Sequence, residues 1–182
     1  MKPLLQLFFC VVMLLLLVNN SAESQSLSYK EHESNNPETY LRQYYSQVFG
    51  LPAETIQELA LYGFIEDWLG TPYRYAGNSK KGIDCSGFAN QVYTNIYCTP
   101  IPGGCEHIYK KVELIDRSEL KEGDLVFFRI NRRYTVSHVG VYLGKGYFAH
   151  ASVKRGVMIS HLDEQYYAKY FTSGARINFA TK

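Results

Sequence analysis

Apolar positions change rhythm twice along this chain. Leu4 to Val18 is a nearly unbroken apolar run following Lys2. From Pro37 to Phe49 the apolar residues recur every three and four positions, with Tyr40, Leu41, Tyr44, Tyr45 and Val48 on one side. That spacing predicts a helix. Gly50 ends it, and Pro52 suits the first turn of a second helix. The second helix is predicted to reach about Leu69, burying Ile56, Leu59, Ala60, Phe64 and Trp68. Gly70-Thr71-Pro72 breaks it, and Tyr73 to Lys81 reads as a loop. A third helix is predicted over roughly 84 to 97, with Phe88, Ala89, Val92, Tyr93 and Ile96 in the same rhythm and Asp84 as N-cap.

After residue 120 the period shortens to that of strands. Gly123-Asp124 is a turn signal before a strand over 125 to 130. Val136 to Leu143 follows, then a tight turn at Gly144-Lys145-Gly146, then Tyr147 to Ala151 and Gly156 to His161. Asp163 to Tyr170 reads as a short helix, and Gly174 to Phe179 as a last strand. Helices first and hairpin-linked strands afterwards predict an α+β domain.

The first apolar run has the character of an export signal. Polar Asn19 to Ser26 follows it, and Ala22-Glu23-Ser24 fits a small-x-small cleavage site. Residues 1–24 are therefore read as a signal peptide, and the expected location is the periplasm or cell envelope. The run is short of the ~20 residues that a span needs, so no membrane span is expected after leader cleavage. An uncleaved anchor is the second reading. Cys10 has no small residue before it, which argues against a lipid-anchor site. Residues 25–50 are a polar lead-in with one short helix, and 51–182 form the main domain.

A net charge of +2 is too small to imply a nucleic-acid partner. Lys80-Lys81, Lys110-Lys111 and Arg129 to Arg133 read as solvated faces, with loose attraction to an anionic polymer such as a cell wall as the alternative. A monomer is expected.

Three cysteines lie beyond the leader. In an oxidising compartment cysteines often pair. Cys98 and Cys105 flank the loop Thr99-Pro-Ile-Pro-Gly-Gly104, which could bring them within bonding distance. A Cys98–Cys105 disulfide is therefore expected, leaving Cys85 as the odd thiol. No Cys-x-x-Cys or His-x-x-x-His spacing supports a zinc site. No metal and no cofactor are expected.

The odd thiol sits at a predicted helix start, where partial positive charge and unpaired N–H groups favour a thiolate nucleophile. Such a nucleophile needs a base, and the base needs an orienting group. His138 begins one predicted strand and His150 ends the next, so a hairpin centred on 144 would set them nearly opposite each other. If they share a face and the helix packs on it, Cys85 lies beside His138. Taken singly, each residue is more often plain core; together they sketch a Cys–His–His hydrolase. His32, His107 and His161 receive no role.

Five stretches then carry a resemblance. Asp84-Cys85-Ser86-Gly87-Phe88, Ser137-His138-Val139-Gly140-Val141-Tyr142-Leu143-Gly144 and Phe148-Ala149-His150-Ala151-Ser152 resemble the signature blocks of the NlpC-type cell-wall cysteine peptidases. Gly123 to Phe128 resembles the strand before the histidine block, and Tyr73 to Ile83 the stretch before the cysteine. The likeness spans about residues 55 to 179. It implies a papain-like fold and an NlpC-type catalytic domain over 51–182. It implies Cys85 as nucleophile, His138 as base and His150 as orienting residue. It also implies Tyr73 at the oxyanion, with Asp84 and Ser86 beside it in the oxyanion or substrate-binding region. The implied substrate is the peptide stem of peptidoglycan, cut as by a murein DL-endopeptidase.

One departure stands out. Many members carry a Pro-Arg-x-Ser-like loop after the nucleophile helix, where this chain has Pro100-Ile-Pro-Gly-Gly-Cys-Glu-His107. That puts the bond cleaved in question. The alternatives are an amidase or acyltransferase using the same triad on another substrate, and a wall-binding module without turnover.

Overall fold

A computed structural model of the chain describes residues 36–177. The expected signal peptide, and the lead-in up to residue 35, lie outside the described residues. A boundary between compact units falls after Tyr44, inside the first helix, α1 (Pro37–Phe49). The unit from Tyr45 onward holds every strand among the described residues. Within it, Tyr45 and Phe49 are buried and Val48 is exposed. Phe49 thus takes the place expected for Val48. Its ring and that of Tyr45 lie 5.6 and 5.9 Å from the ring of Tyr62.

The second helix is shorter than its apolar rhythm predicts. A 3-10 turn covers Ala53–Thr55, and α2 runs only over Leu59–Trp68. The reason is Glu122, whose carboxylate accepts the N–H of Gln57 at 3.0 Å and of Glu58 at 2.7 Å. Those amides are held by a carboxylate rather than by a helical ladder, and the Glu58 side chain then caps Ala60. The buried face turns accordingly. Leu61, Tyr62, Ile65 and Trp68 are buried, whereas Ala60 is exposed.

A two-stranded ribbon, β1 (Asn78–Ser79) and β2 (Gly82–Ile83), leads into α3 (Cys85–Ile96). The short α4 (Cys105–Tyr109) follows. A six-stranded antiparallel sheet completes the unit in the order β3-β8-β4-β5-β6-β7. Its strands are β3 (Glu113–Ile115), β4 (Leu125–Phe128), β5 (His138–Gly144), β6 (Tyr147–Ser152), β7 (Gly156–His161) and β8 (Phe171–Arg176). Helix α5 (Gln165–Tyr170) joins the last two.

Alternation along the strands gives the sheet two apolar faces. Phe127, Val139, Val141, Leu143, Ala149 and Ala151 join the core built with the helices. Helix α3 packs on β5 and β6, and α2 packs on α3. Val126, Phe128, Tyr142 and Phe148 face the other way, onto Leu162 and Tyr167.

The β5–β6 hairpin differs from its expected register. Its turn is Lys145-Gly146, both with positive φ (49° and 88°), the conformation that matches strand twist. Gly144 pairs with Tyr147, a shift follows between Tyr142 and Gly144, and Val141 then faces Ala149. The hairpin is therefore centred on Lys145 rather than Gly144. His138 and His150 are offset diagonally instead of opposed. The offset is two residues, so their side chains keep one face.

Candidate active site

Cys85 is the first residue of α3, and Asp84 caps it. The Asp84 carboxylate accepts from the Gly87 N–H at 2.7 Å, the Ser86 hydroxyl at 2.9 Å and the Ala76 N–H at 2.9 Å. The cap thus ties the 73–83 loop to the helix start. Close approach requires glycine at position 87, because a Cβ there would lie 2.5 Å from the Gly77 carbonyl oxygen. Asp84 and Ser86 line the cavity of about 610 Å³ into which Cys85 opens. Their polar groups are bonded to each other and to the loop.

His138 and His150 meet. His138 Nε2 lies 2.9 Å from His150 Nδ1, with the rings nearly perpendicular. His150 Nε2 in turn lies 3.1 Å from the Tyr167 hydroxyl and 3.3 Å from Ser160 Oγ. Phe128 and Phe148 pack around the pair. The face is the one turned away from α3, which corrects the expectation that the nucleophile helix packs on the histidine face. Val139, not His138, points toward the helix. Cys85 comes alongside at the start of β5, where the Val139 N–H donates to its sulfur.

The thiol has a second partner that sequence reasoning missed. Cys85 and Cys105 hydrogen-bond each other. That bond, then burial, push the Cys85 thiol well above its ordinary range, with the Asp84 charge in the same direction and the Val139 N–H against them. The same bond pulls Cys105 down.

The expected Cys98–Cys105 disulfide is not formed, and all three described cysteines are free thiols. The loop runs the wrong way for it. Thr99 N–H bonds the Tyr93 carbonyl, and Ile101 N–H bonds Asn90 Oδ1 at 2.7 Å. The loop is thereby pinned back along α3 toward its start. Cys105 reaches the N-terminal end, while Cys98 remains exposed at the other. A helix of this length separates its ends by roughly 17 Å at 1.5 Å per residue.

Burial sets the remaining charges. His138 is pulled down to about 4 by desolvation, opposed by the Asp84 carboxylate. His150 lies well below its ordinary value through desolvation, His138 and Arg155. Both rings are neutral at pH 7. The Tyr73 phenol is pushed up to about 12 by burial, then by Cys85 and Asp84, so it keeps its proton and can donate. Tyr73, Tyr134 and Ser137 line both the Cys85 cavity and a second one of about 540 Å³ that holds His138 and His150. The two cavities form one cleft across the strand start. Ser160 and Tyr167 were also missed; a serine and one of 16 tyrosines carry no signal without the fold.

Residues 70–176 match the NlpC/P60 family, and the chain belongs to it. It is 44% identical over 121 residues to a probable endopeptidase NlpC homolog of Haemophilus influenzae, covering 65% of this chain and 62% of that protein. It is 39% identical over 111 residues to the Escherichia coli murein DD-endopeptidase MepS/murein LD-carboxypeptidase, covering 61% and 58%. The match thus spans about three fifths of each of these relatives. A crystal structure of an NlpC/P60 family protein from Bacillus cereus superposes with a TM-score of 0.58 at 31% identity, covering 64% of this chain and 38% of that one. The architecture is the papain-like fold of these domains.

Proposed function

We propose that this member of the NlpC/P60 family is an exported cysteine peptidase that hydrolyses amide bonds in the peptide stems or cross-links of peptidoglycan. The observation that carries the proposal is the buried His138–His150 pair, 2.9 Å apart, at the strand start where the Cys85 thiol bonds the Val139 N–H. The name of the Escherichia coli relative, a murein DD-endopeptidase and LD-carboxypeptidase, supports the substrate class. It also makes bonds next to D-residues the candidates, with the DL bond implied by resemblance as one of them.

The charges favour a thiol and a neutral imidazole as the resting state over a preformed ion pair. In the proposed reaction the Cys85 side chain turns from Cys105 toward His138. His138 Nδ1 takes the thiol proton as sulfur attacks the carbonyl carbon. The imidazolium is stabilised by His150 at Nε2 and by the Asp84 charge. The Cys85 N–H and the Tyr73 hydroxyl are the candidate oxyanion donors. His138 then gives its proton to the leaving amine, and a water activated by His138 releases the acid and restores the thiol.

The test is digestion of isolated peptidoglycan with wild type and Cys85→Ala, read by mass spectrometry. New stem fragments with wild type alone support the proposal, and their ends name the bond. No fragments with either, in folded protein, would overturn it and favour a wall-binding module.

A further inference from the structure

We propose that Ser160 and Tyr167 are positioning residues that fix the tautomer of His150, and through it the proton-accepting nitrogen of His138. The inference rests on the reading of Cys85, His138 and His150 given above. Each link in the chain is a contact. His138 Nε2 meets His150 Nδ1 at 2.9 Å, and His150 Nε2 meets Tyr167 at 3.1 Å and Ser160 at 3.3 Å. All four groups are buried, and Ser160 also bonds Tyr167.

A neutral imidazole has one N–H and one acceptor nitrogen. If His138 is to take the thiol proton at Nδ1, its own hydrogen sits on Nε2. That hydrogen must be accepted by His150 Nδ1. The hydrogen of His150 is then on Nε2, buried among Phe148, Tyr167 and β7. A buried N–H without an acceptor is strongly disfavoured. Without the two hydroxyls the His150 ring would favour the opposite tautomer, with its hydrogen on Nδ1 pointing at His138. His138 Nε2 would then accept, its hydrogen would move to Nδ1, and the base facing the thiol would be lost.

Serine and tyrosine can each accept that hydrogen, and each hydroxyl can rotate to do so. Two acceptors on one N–H make the arrangement redundant. They come from different elements, Ser160 from β7 and Tyr167 from α5. Helix α5, which also lines the histidine cavity with Tyr166, thus has a place in the chemistry.

The experiment measures kcat and KM on isolated cross-linked muropeptides for wild type, Ser160→Ala, Tyr167→Phe and the double variant. The same four are repeated in a His150→Asn background, with Cys85→Ala as control. Asparagine has no tautomers and offers nothing at the Nε2 position. The expected result is a small loss in each single variant and a loss in kcat of roughly 10–100-fold in the double, at unchanged KM. In the His150→Asn background the double should change kcat less than about twofold, because the group it positions is gone. Ser160→Thr with Tyr167→Phe keeps one hydroxyl and should hold kcat within about threefold of Tyr167→Phe alone. That comparison stands even if the double variant folds poorly. Full activity in the double variant overturns the inference. So does an equal loss with and without His150, which marks a purely structural role. Turnover by Cys85→Ala, or wild-type activity in His150→Ala, overturns the underlying reading instead.

Discussion

At the scale of single residues, each proposed role has its own signature. Cys85→Ala should abolish turnover and leave the fold intact, since the cap at Asp84 holds the helix start without the sulfur. His138→Ala should lose at least the ~10²–10⁴-fold that acid–base catalysis contributes. His150→Asn or His150→Gln should lose less, because an amide oxygen can still accept the His138 Nε2 hydrogen. Equal activity of His150→Ala and wild type would remove His150 from the site. The thiols separate as sharply. A brief pulse of alkylating agent on native protein should label exposed Cys98 and half-buried Cys105 ahead of the buried Cys85 thiol. Peptide mapping that found Cys98 linked to Cys105 would contradict the loop path along α3.

At the scale of elements, small groups decide where helices start. Glu122 holds the Gln57 and Glu58 amides and accepts the Tyr62 hydroxyl at 2.8 Å. Glu122→Ala should cost about 2 kcal/mol in urea unfolding, the scale of a lost cap plus a buried hydroxyl contact. Gly87→Ala should damage the site more than its single methyl suggests. The Gly77 carbonyl stands in the way, and the loop carrying Tyr73 would have to shift. A drop in kcat together with a lower melting temperature is the expected readout. Helices α1, α2, α3 and α5 and strands β4 to β8 were legible in the chain, because their apolar periods are strong, whereas β1, β2, β3 and α4 are too short to show a period. The candidate site residues were picked out through the co-linear blocks. What periodicity could not convey was side-chain contact across the chain. Glu122 lies more than sixty residues from the amides it holds, so the α2 start was misplaced. The Asn90 amide turns the 99–104 loop around, so the nearest cysteine in sequence is not the partner in space. The histidine face could not be read either, because His138, Gly140 and Tyr142 alternate with Val139, Val141 and Leu143 on β5 and either set can be buried.

At the scale of the whole molecule, the buried histidine pair ties stability to pH. The folded state holds His138 down to about 4, against 6.5 for the free side chain, because burial disfavours its charge. Above pH 6.5 neither state binds the proton, and the full stability is present. Between 6.5 and 4 the unfolded chain takes up a proton that the folded one refuses, so stability falls as pH falls. Below about 4 both states are protonated and this slope ends. At 1.36 kcal/mol per unit, His138 alone accounts for roughly 3 kcal/mol lost across the window. His150, depressed by the same burial and by His138 and Arg155, acts in the same direction and steepens the fall. Urea unfolding at steps from pH 7.5 to 4.5 should therefore show a decline in wild type that is largely absent when both histidines are replaced by glutamine. The double variant keeps hydrogen-bonding amides in place of the rings but has nothing to titrate. A decline of the same size in that variant would place the acid sensitivity elsewhere in the fold and mean that the pair takes up protons as readily folded as unfolded. A flat profile would tie the loss to the two rings that the proposed chemistry needs neutral, so that the cost of keeping a base buried appears as acid lability of the whole domain.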